Sequence, residues 1–214
     1  MPLHTNKQLN NDTRVVLWEI TESVDWFLNR LHLDEEEQVK YKDFRTDLRR
    51  VHWLAYRHIL KNVLGWGHEI RIRYDEHSKP FIELSDHHIS VSHAGKFAAV
   101  IMGNNAVGID VEQVTQRLHR VADKFLTSEE VGMEPSELST EALCLHWCAK
   151  EALYKLYGER LLDFRRHIQV LDIPENLEGE FTALINNGKK NGVFNLVSEK
   201  VEDYFLVFAF DHAQ

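Results

Sequence analysis

The chain is 214 residues long, 43% hydrophobic and 28% charged, with a formal net charge of −9. It is long enough to bury a sizeable core as one domain or two small halves, and its acidity argues against a general binder of nucleic acid or of a membrane surface. No apolar run is long enough to span a bilayer, the N-terminus lacks the apolar core of a secretory signal, and two cysteines make no disulfide framework, so a cytoplasmic protein is expected.

Val15–Ile20 is the first strand candidate. The acidic stretch Asp34–Glu37 opens a long helical pattern that runs to about Leu64 and stops at Gly65. Glu69–Tyr74 alternates like a strand and is broken by Ser78–Lys79–Pro80. Three short strand candidates follow, Ile89–His93, Phe97–Met102 and Ala106–Glu112, punctuated by Gly95 and by Gly103–Asn104–Asn105; they read as a β-meander. A second helix is clearest over Glu141–Tyr157 and ends at Gly158. The C-terminal third reads as strands Ile168–Leu171, Gly179–Leu184, Val193–Ser198 and Tyr204–Phe210, with Gly188 and Gly192 marking a turn. The mixture predicts an α+β fold with helices laid on antiparallel sheets.

One internal echo suggests two similar halves. His52–Trp53–Leu54–Ala55 in the first helix resembles His146–Trp147–Cys148–Ala149 in the second, and strands Val15–Ile20 and Val107–Glu112 lie at nearly the same separation. The expected division is residues 1–105 and 106–214. The halves differ in charge: from Lys40 to Arg73 there are nine Lys/Arg against three Asp/Glu, whereas the candidate site acids lie in the second half.

Asp110 and Glu112 share one face of a strand, because residues two apart point the same way. Two carboxylates on a packed strand repel unless a cation or hydrogen bonds intervene, and a hard divalent cation is a natural solution. From this pair alone, solvated acids on an exposed edge strand are the stronger reading. The second helix shifts the balance: Leu145, Ala149, Ala152, Leu153 and Leu156 form an apolar stripe, and Trp147, Glu151, Tyr154 and Lys155 project elsewhere. Glu151 can reach a site while the helix stays anchored, with Lys150 and Lys155 near enough to meet phosphates. Ser92–His93–Ala94–Gly95 enters a turn whose backbone could donate to a phosphate. A Ser-His-Asp triad is a poor reading, since adjacent Ser92 and His93 point to opposite faces. Cys144 and Cys148 flank His146 without an evident fourth metal ligand, and packed thiols are the better reading.

Taken in order, Ser78–Lys79–Pro80, Val91–Ser92–His93, Gly108–Ile109–Asp110–Val111–Glu112, the segment from Phe125 to Glu130 and the segment from Trp147 to Lys155 resemble the 4′-phosphopantetheinyl transferase superfamily. The length resembles the surfactin-synthetase-activating type. That resemblance implies a monomeric pseudo-dimer of two α+β halves with the active site in the cleft between them, the first half giving part of the coenzyme A site and the second the metal-binding carboxylates. It implies transfer of the phosphopantetheine arm of coenzyme A to a serine of an apo acyl, peptidyl or aryl carrier protein, with adenosine 3′,5′-bisphosphate released. By motif, Asp110, Glu112 and Glu151 would hold Mg²⁺. Lys79, Ser92, His93, Lys150 and Lys155 would contact coenzyme A, joined by Arg49 or Arg50. Glu151 is the expected base, directly or through a water. The competing readings are a metal-dependent nucleotide phosphohydrolase, which leaves the Ser-His and Lys-Pro segments without a role, and a scaffold that binds carrier protein or coenzyme A without transfer.

Overall fold

The structure, a computed structural model, describes residues 3–67, 70–132, 137–159, 162–189 and 191–210. The chain divides into two compact units, Met1–Asn104 and Asn105–Gln214.

In the first unit an antiparallel sheet runs in the order β1 (Leu3–Gln8), β2 (Arg14–Glu19), β6 (Phe97–Gly103), β5 (His88–Ala94). Strand β1 was not evident from sequence because it is almost wholly exposed and polar, an edge strand with no buried face to impose alternation. Helices α1 (Val24–Leu28), α2 (Glu35–Lys42) and α3 (Asp47–His58) follow β2, and α3 continues into a π-helical turn, Ile59–Val63. A short hairpin, β3 (Ile72–Tyr74) and β4 (Pro80–Ile82), precedes β5. Of the strand expected over Glu69–Tyr74, Glu69 lies outside the described residues.

The single long helix expected from Asp34 to Leu64 is two helices. Asp34 opens α2 with a capping box, accepting from the backbone N–H of Glu37 while Glu37 accepts from that of Asp34. Thr46 Oγ1 then accepts from Arg49 N at 3.3 Å and starts α3. Unbroken charge along this stretch conceals the break. Only Glu37 of α2 is buried, and it accepts from Arg57 at 3.0 Å and Lys61 at 3.1 Å. Helix α2 is thus tied to α3 by buried ion pairs rather than by an apolar stripe. Helix α3 supplies Trp53, Leu54, Ala55 and Tyr56 to a core completed by Phe27, Ala98 and Val100.

In the second unit the sheet order is β7 (Val107–Gln113), β11 (Tyr204–Phe210), β10 (Asn191–Val201), β9 (Gly179–Asn186), β8 (Ile168–Leu171), all antiparallel. The expected meander therefore ends at β6: β7 pairs with β11, which comes nearly a hundred residues later, a long-range pairing that local alternation cannot reveal. After β7 come a 3-10 turn (Gln116–Arg120), α4 (Ala122–Phe125), α5 (Ser128–Val131), α6 (Thr140–Tyr157) and α7 (Phe164–His167). Helix α6 is capped by Ser139, whose hydroxyl accepts from Ala142 N, and ends at Gly158 in the left-handed conformation. It packs against β7 and β11, closing a core that includes Leu145, Ala149, Leu153, Phe205 and Val207.

The approach of α6 to β7 is unusually close. A Cβ on Gly108 would lie 1.9 Å from Ala152 O and 2.7 Å from Leu156 N, so only glycine lets the helix backbone rest on the strand. Each unit follows one connection order: a strand, then helices, then a hairpin whose second arm pairs with the first strand, as β2, α3, β5, β6 and as β7, α6, β10, β11. Among the described residues no helix is long and apolar enough to cross a membrane.

Candidate functional site

The acids of the second unit lie where β7 meets α6. Asp110 and Glu112 share the face of β7 that carries Gly108, and the Lys155 ammonium of α6 donates to Asp110 Oδ1 at 2.7 Å and to Ile109 O at 3.1 Å. Glu112 is ion-paired with exposed Arg117, from the 3-10 turn that follows β7. Glu151 stands on α6, half-buried like Trp147, Tyr154 and Lys155, while the apolar stripe is buried.

The acids feel one another. Burial raises the Glu151 carboxyl to about 7, and the charges of Asp110 and Glu112 add to the rise while Lys155 opposes it. Burial also raises Glu112, with Arg117 opposing and Asp110 contributing. Beyond burial, the charge of Asp110 outweighs that of Lys155 at Glu151, whereas the charge of Arg117 outweighs that of Asp110 at Glu112. Oxygen donors in such a field suit a hard dication such as Mg²⁺, so the donor set fits the expected metal. Among the described residues no group of three Asp, Glu, His or Cys is already set to hold a metal ion; Lys155 and Arg117 engage two of the acids instead.

Lys150 has another task than the one expected. It is fully buried, and its ammonium donates to Glu130 Oε2 at 2.8 Å, Phe164 O at 3.0 Å and Ile168 O at 2.6 Å. Three donors are all a lysine has, so reaching a phosphate would mean breaking a buried ion pair. Glu130 Oε1 also accepts from Val170 N at 2.8 Å. The pair thereby fastens α5 and β8 to α6, and the Phe-Leu-Thr-Ser-Glu-Glu and Trp-x-x-Lys segments are halves of one structural device. Thr127 begins it by capping α5. Cys144 and Cys148 are buried free thiols, directed at Glu112 O and Phe205 O. Trp147 packs against Phe125 and Phe164 with ring centroids 5.2 and 5.6 Å away.

In the first unit, the structure separates the two arginine candidates. Arg49 donates from Nη1 to His93 Nε2. Arg50 pairs with Asp47 at 2.8 Å on its own helix. His93 stacks on His52 with ring centroids 4.4 Å apart and planes 13° from parallel. Ser92 is buried on β5, and strand alternation turns it to the other face from His93. Lys79 lies in the β3–β4 turn, where Asp75 Oδ1 accepts from its backbone N–H at 2.8 Å. Arg49 also lines a cavity of about 470 Å³ shared with Lys40, Arg57, Arg73, Phe44 and Trp53. Arg57 lies 3.3 Å from the centroid of the Trp53 ring, a cation held over an aromatic face.

Four roles were not read from the sequence: those of His52, Arg117 and Glu130, and the close packing at Gly108. Spacing could have offered His52, since Arg49 and His52 are three apart and share a helix face. Nothing local could have revealed what Gly108 and Glu130 meet.

Comparison with known proteins bears on the half that holds the acids. The chain is 27% identical over 110 residues to the 4′-phosphopantetheinyl transferase gsp of Aneurinibacillus migulanus, a match covering 50% of this chain and 46% of that protein. It is 27% identical over 97 residues to the 4′-phosphopantetheinyl transferase Sfp of Bacillus subtilis (strain 168), covering 44% of this chain and 43% of that one. The chain thus spans about half the length of the curated relatives it matches. The sequence model of the 4′-phosphopantetheinyl transferase superfamily matches residues 106–209, from the start of β7 to nearly the end of β11. That segment, which carries Asp110, Glu112, Glu151 and Lys155, is the part of the chain that matches the 4′-phosphopantetheinyl transferase superfamily.

Proposed function

We propose that the protein transfers the 4′-phosphopantetheine arm of coenzyme A to a serine of an apo carrier protein and releases adenosine 3′,5′-bisphosphate, acting as a monomer. One observation carries the reading: within the segment matched to the superfamily, Gly108 brings α6 onto β7, so that Asp110, Glu112, Glu151 and Lys155 form one electrostatically coupled group. Asp110, Glu112 and Glu151 would hold Mg²⁺, which when bound supplies counter-charge to the pyrophosphate of coenzyme A.

The remaining work falls to the protein's own side chains. Lys155, at the edge of the acids, is placed to add positive charge beside a phosphoryl group. Arg49 and His93 are the candidates for a second phosphate of coenzyme A, and the neighbouring cavity sets Arg49 and Lys40 beside the Phe44 ring, chemistry suited to a nucleotide. In the reaction the carrier serine Oγ bonds to the phosphorus bearing the pantetheine arm, and the bond from that phosphorus to the bridging oxygen breaks. Glu151 accepts the serine proton, directly or through a water. The shared connection order of the two units supports reading them as copies of one duplicated unit.

The test is incubation with coenzyme A, Mg²⁺ and a panel of apo acyl, peptidyl and aryl carriers, followed by mass spectrometry of each carrier. A phosphopantetheine adduct on the carrier serine is expected, and EDTA in excess should prevent it. Absence of the adduct across the panel removes the transferase reading; an adduct that persists under EDTA removes the metal.

A further inference from the structure

The stacked histidines show which atoms carry their protons. His52 Nε2 lies 2.7 Å from Gly95 O, and a carbonyl only accepts, so Nε2 carries hydrogen. Burial lowers the affinity of the His52 ring for a second proton, the carbonyl of Gly95 works against that, and the charge of Arg49 adds to it. Across the stack, Arg49 bonds His93 Nε2, and a guanidinium only donates. His93 Nε2 therefore offers its lone pair, and the ring is the neutral tautomer with hydrogen on Nδ1. Gly95 sits in the two-residue turn between β5 and β6 with a φ of 51°, which fixes the direction of the carbonyl that His52 grips. His52 is itself only 5% exposed.

We infer that His52 is a positioning residue for the phosphate-binding pair Arg49 and His93, holding the His93 ring in the plane from which it meets Arg49 while anchoring α3 to the β5–β6 turn. The inference rests on the reading above that this pair takes a phosphate of coenzyme A. The hydrogen bond to Gly95 sets the orientation of the His52 ring, and the stacked face passes that orientation to His93. Arg49, one turn earlier on α3, is then presented with an oriented acceptor. A phosphate arriving there finds the Arg49 guanidinium already oriented by its bond to His93, so less side-chain freedom is lost on binding.

Three variants separate the two links. His52→Phe keeps a stacking ring and loses the donor to Gly95; His52→Gln keeps a donor and loses the ring; His52→Leu loses both. Coenzyme A binding is measured by titration calorimetry and transfer by steady-state kinetics, with a melting curve for each variant. His52→Leu should weaken coenzyme A binding roughly tenfold and raise KM with kcat at saturating coenzyme A unchanged, and the other two variants should fall between it and the parent. Arg49→Ala should cost less affinity in the His52→Leu background than in the parent, because the two residues act together. A residue that serves only stability would lower the melting temperature and leave affinity and coupling as they were; that result, in any of the three variants that folds, overturns the inference. If Arg49→Ala weakens binding and the His52 variants do not, the positioning role alone falls. If the parent binds coenzyme A and Arg49→Ala has no effect, the phosphate site falls and the inference with it.

Discussion

Helices α3 and α6 carry the same short pattern, His-Trp-x-Ala, and put it to different uses. On α3, His52 turns a ring nitrogen to Gly95 O and lays its face on His93. On α6, His146 is equally buried, and its Nδ1 stands 3.9 Å from Glu130 Oε1. Trp53 is buried beneath Arg57, whereas Trp147 is half-buried among phenylalanines. The difference comes from what each helix faces. Helix α3 lends Arg49, Trp53 and Arg57 to the lining of a cavity within the first unit; α6 rests on β7 so closely that two strand carboxylates come beside Glu151 and Lys155. An identical local pattern thus constrains helix and burial but leaves chemistry to the opposing element.

Lysines on α6 offer the sharpest way to break this account. Lys150→Met should destabilise the fold by about 3–5 kcal/mol in urea unfolding, because Glu130 would be left charged and buried without its partner. Lys155→Met should cost less stability than Lys150→Met, because Lys155 is about a quarter exposed where Lys150 is fully buried, and it should reduce transfer. If the two exchange roles, the division between a structural and a functional lysine is wrong. Glu112→Ala should lower kcat by about 10²–10³-fold with the fold retained by circular dichroism; unchanged turnover removes Glu112 from the metal site.

Gly108→Ala tests the closeness of α6 and β7. The added methyl must displace helix backbone, at a cost of about 1–3 kcal/mol or more by chemical denaturation, and transfer should fall with it. A stability equal to the parent would mean that the approach is not as close as described.

His146 tests the contrast with His52 through pH. Burial and the charge of Lys150 hold His146 down at about 4, from an ordinary 6.5. The unfolded chain takes up a proton below its ordinary value while the folded chain resists until about 4. This residue's share of stability is therefore full above pH 6.5 and is lost as pH falls toward 4, by up to about 3 kcal/mol. His146→Gln should flatten the slope of unfolding free energy in that window, with Glu130 and Lys150 as the charged groups that face the site; an unchanged slope refutes the assignment. The smallest expected contrast is between neighbouring arginines. Arg49→Ala should weaken coenzyme A binding about tenfold and Arg50→Ala by much less, since an exposed pair such as Arg50 with Asp47 contributes little; equal losses in calorimetry would rejoin the two.

Sequence alone was informative wherever a local period expressed a buried face. The strands Ile168–Leu171 and Tyr204–Phe210 occur with those bounds, and α6 begins one residue before the pattern's clearest part. The spacing of Asp110 and Glu112 on a strand, and the uncommitted face bearing Glu151, were legible for the same reason. Two helices read as one because α2 is held by Glu37 and its ion pairs, which leave no apolar period. Strand β7 read as part of a meander because its partner β11 lies far along the chain. Lys150 read as a phosphate ligand because a lysine's destination depends on what lies opposite, here Glu130 and two carbonyls. Residue spacing determined which side chains share an element's face; only tertiary structure decided which faces meet, because burial, ion pairing and the room that Gly108 leaves for α6 are properties of two elements at once.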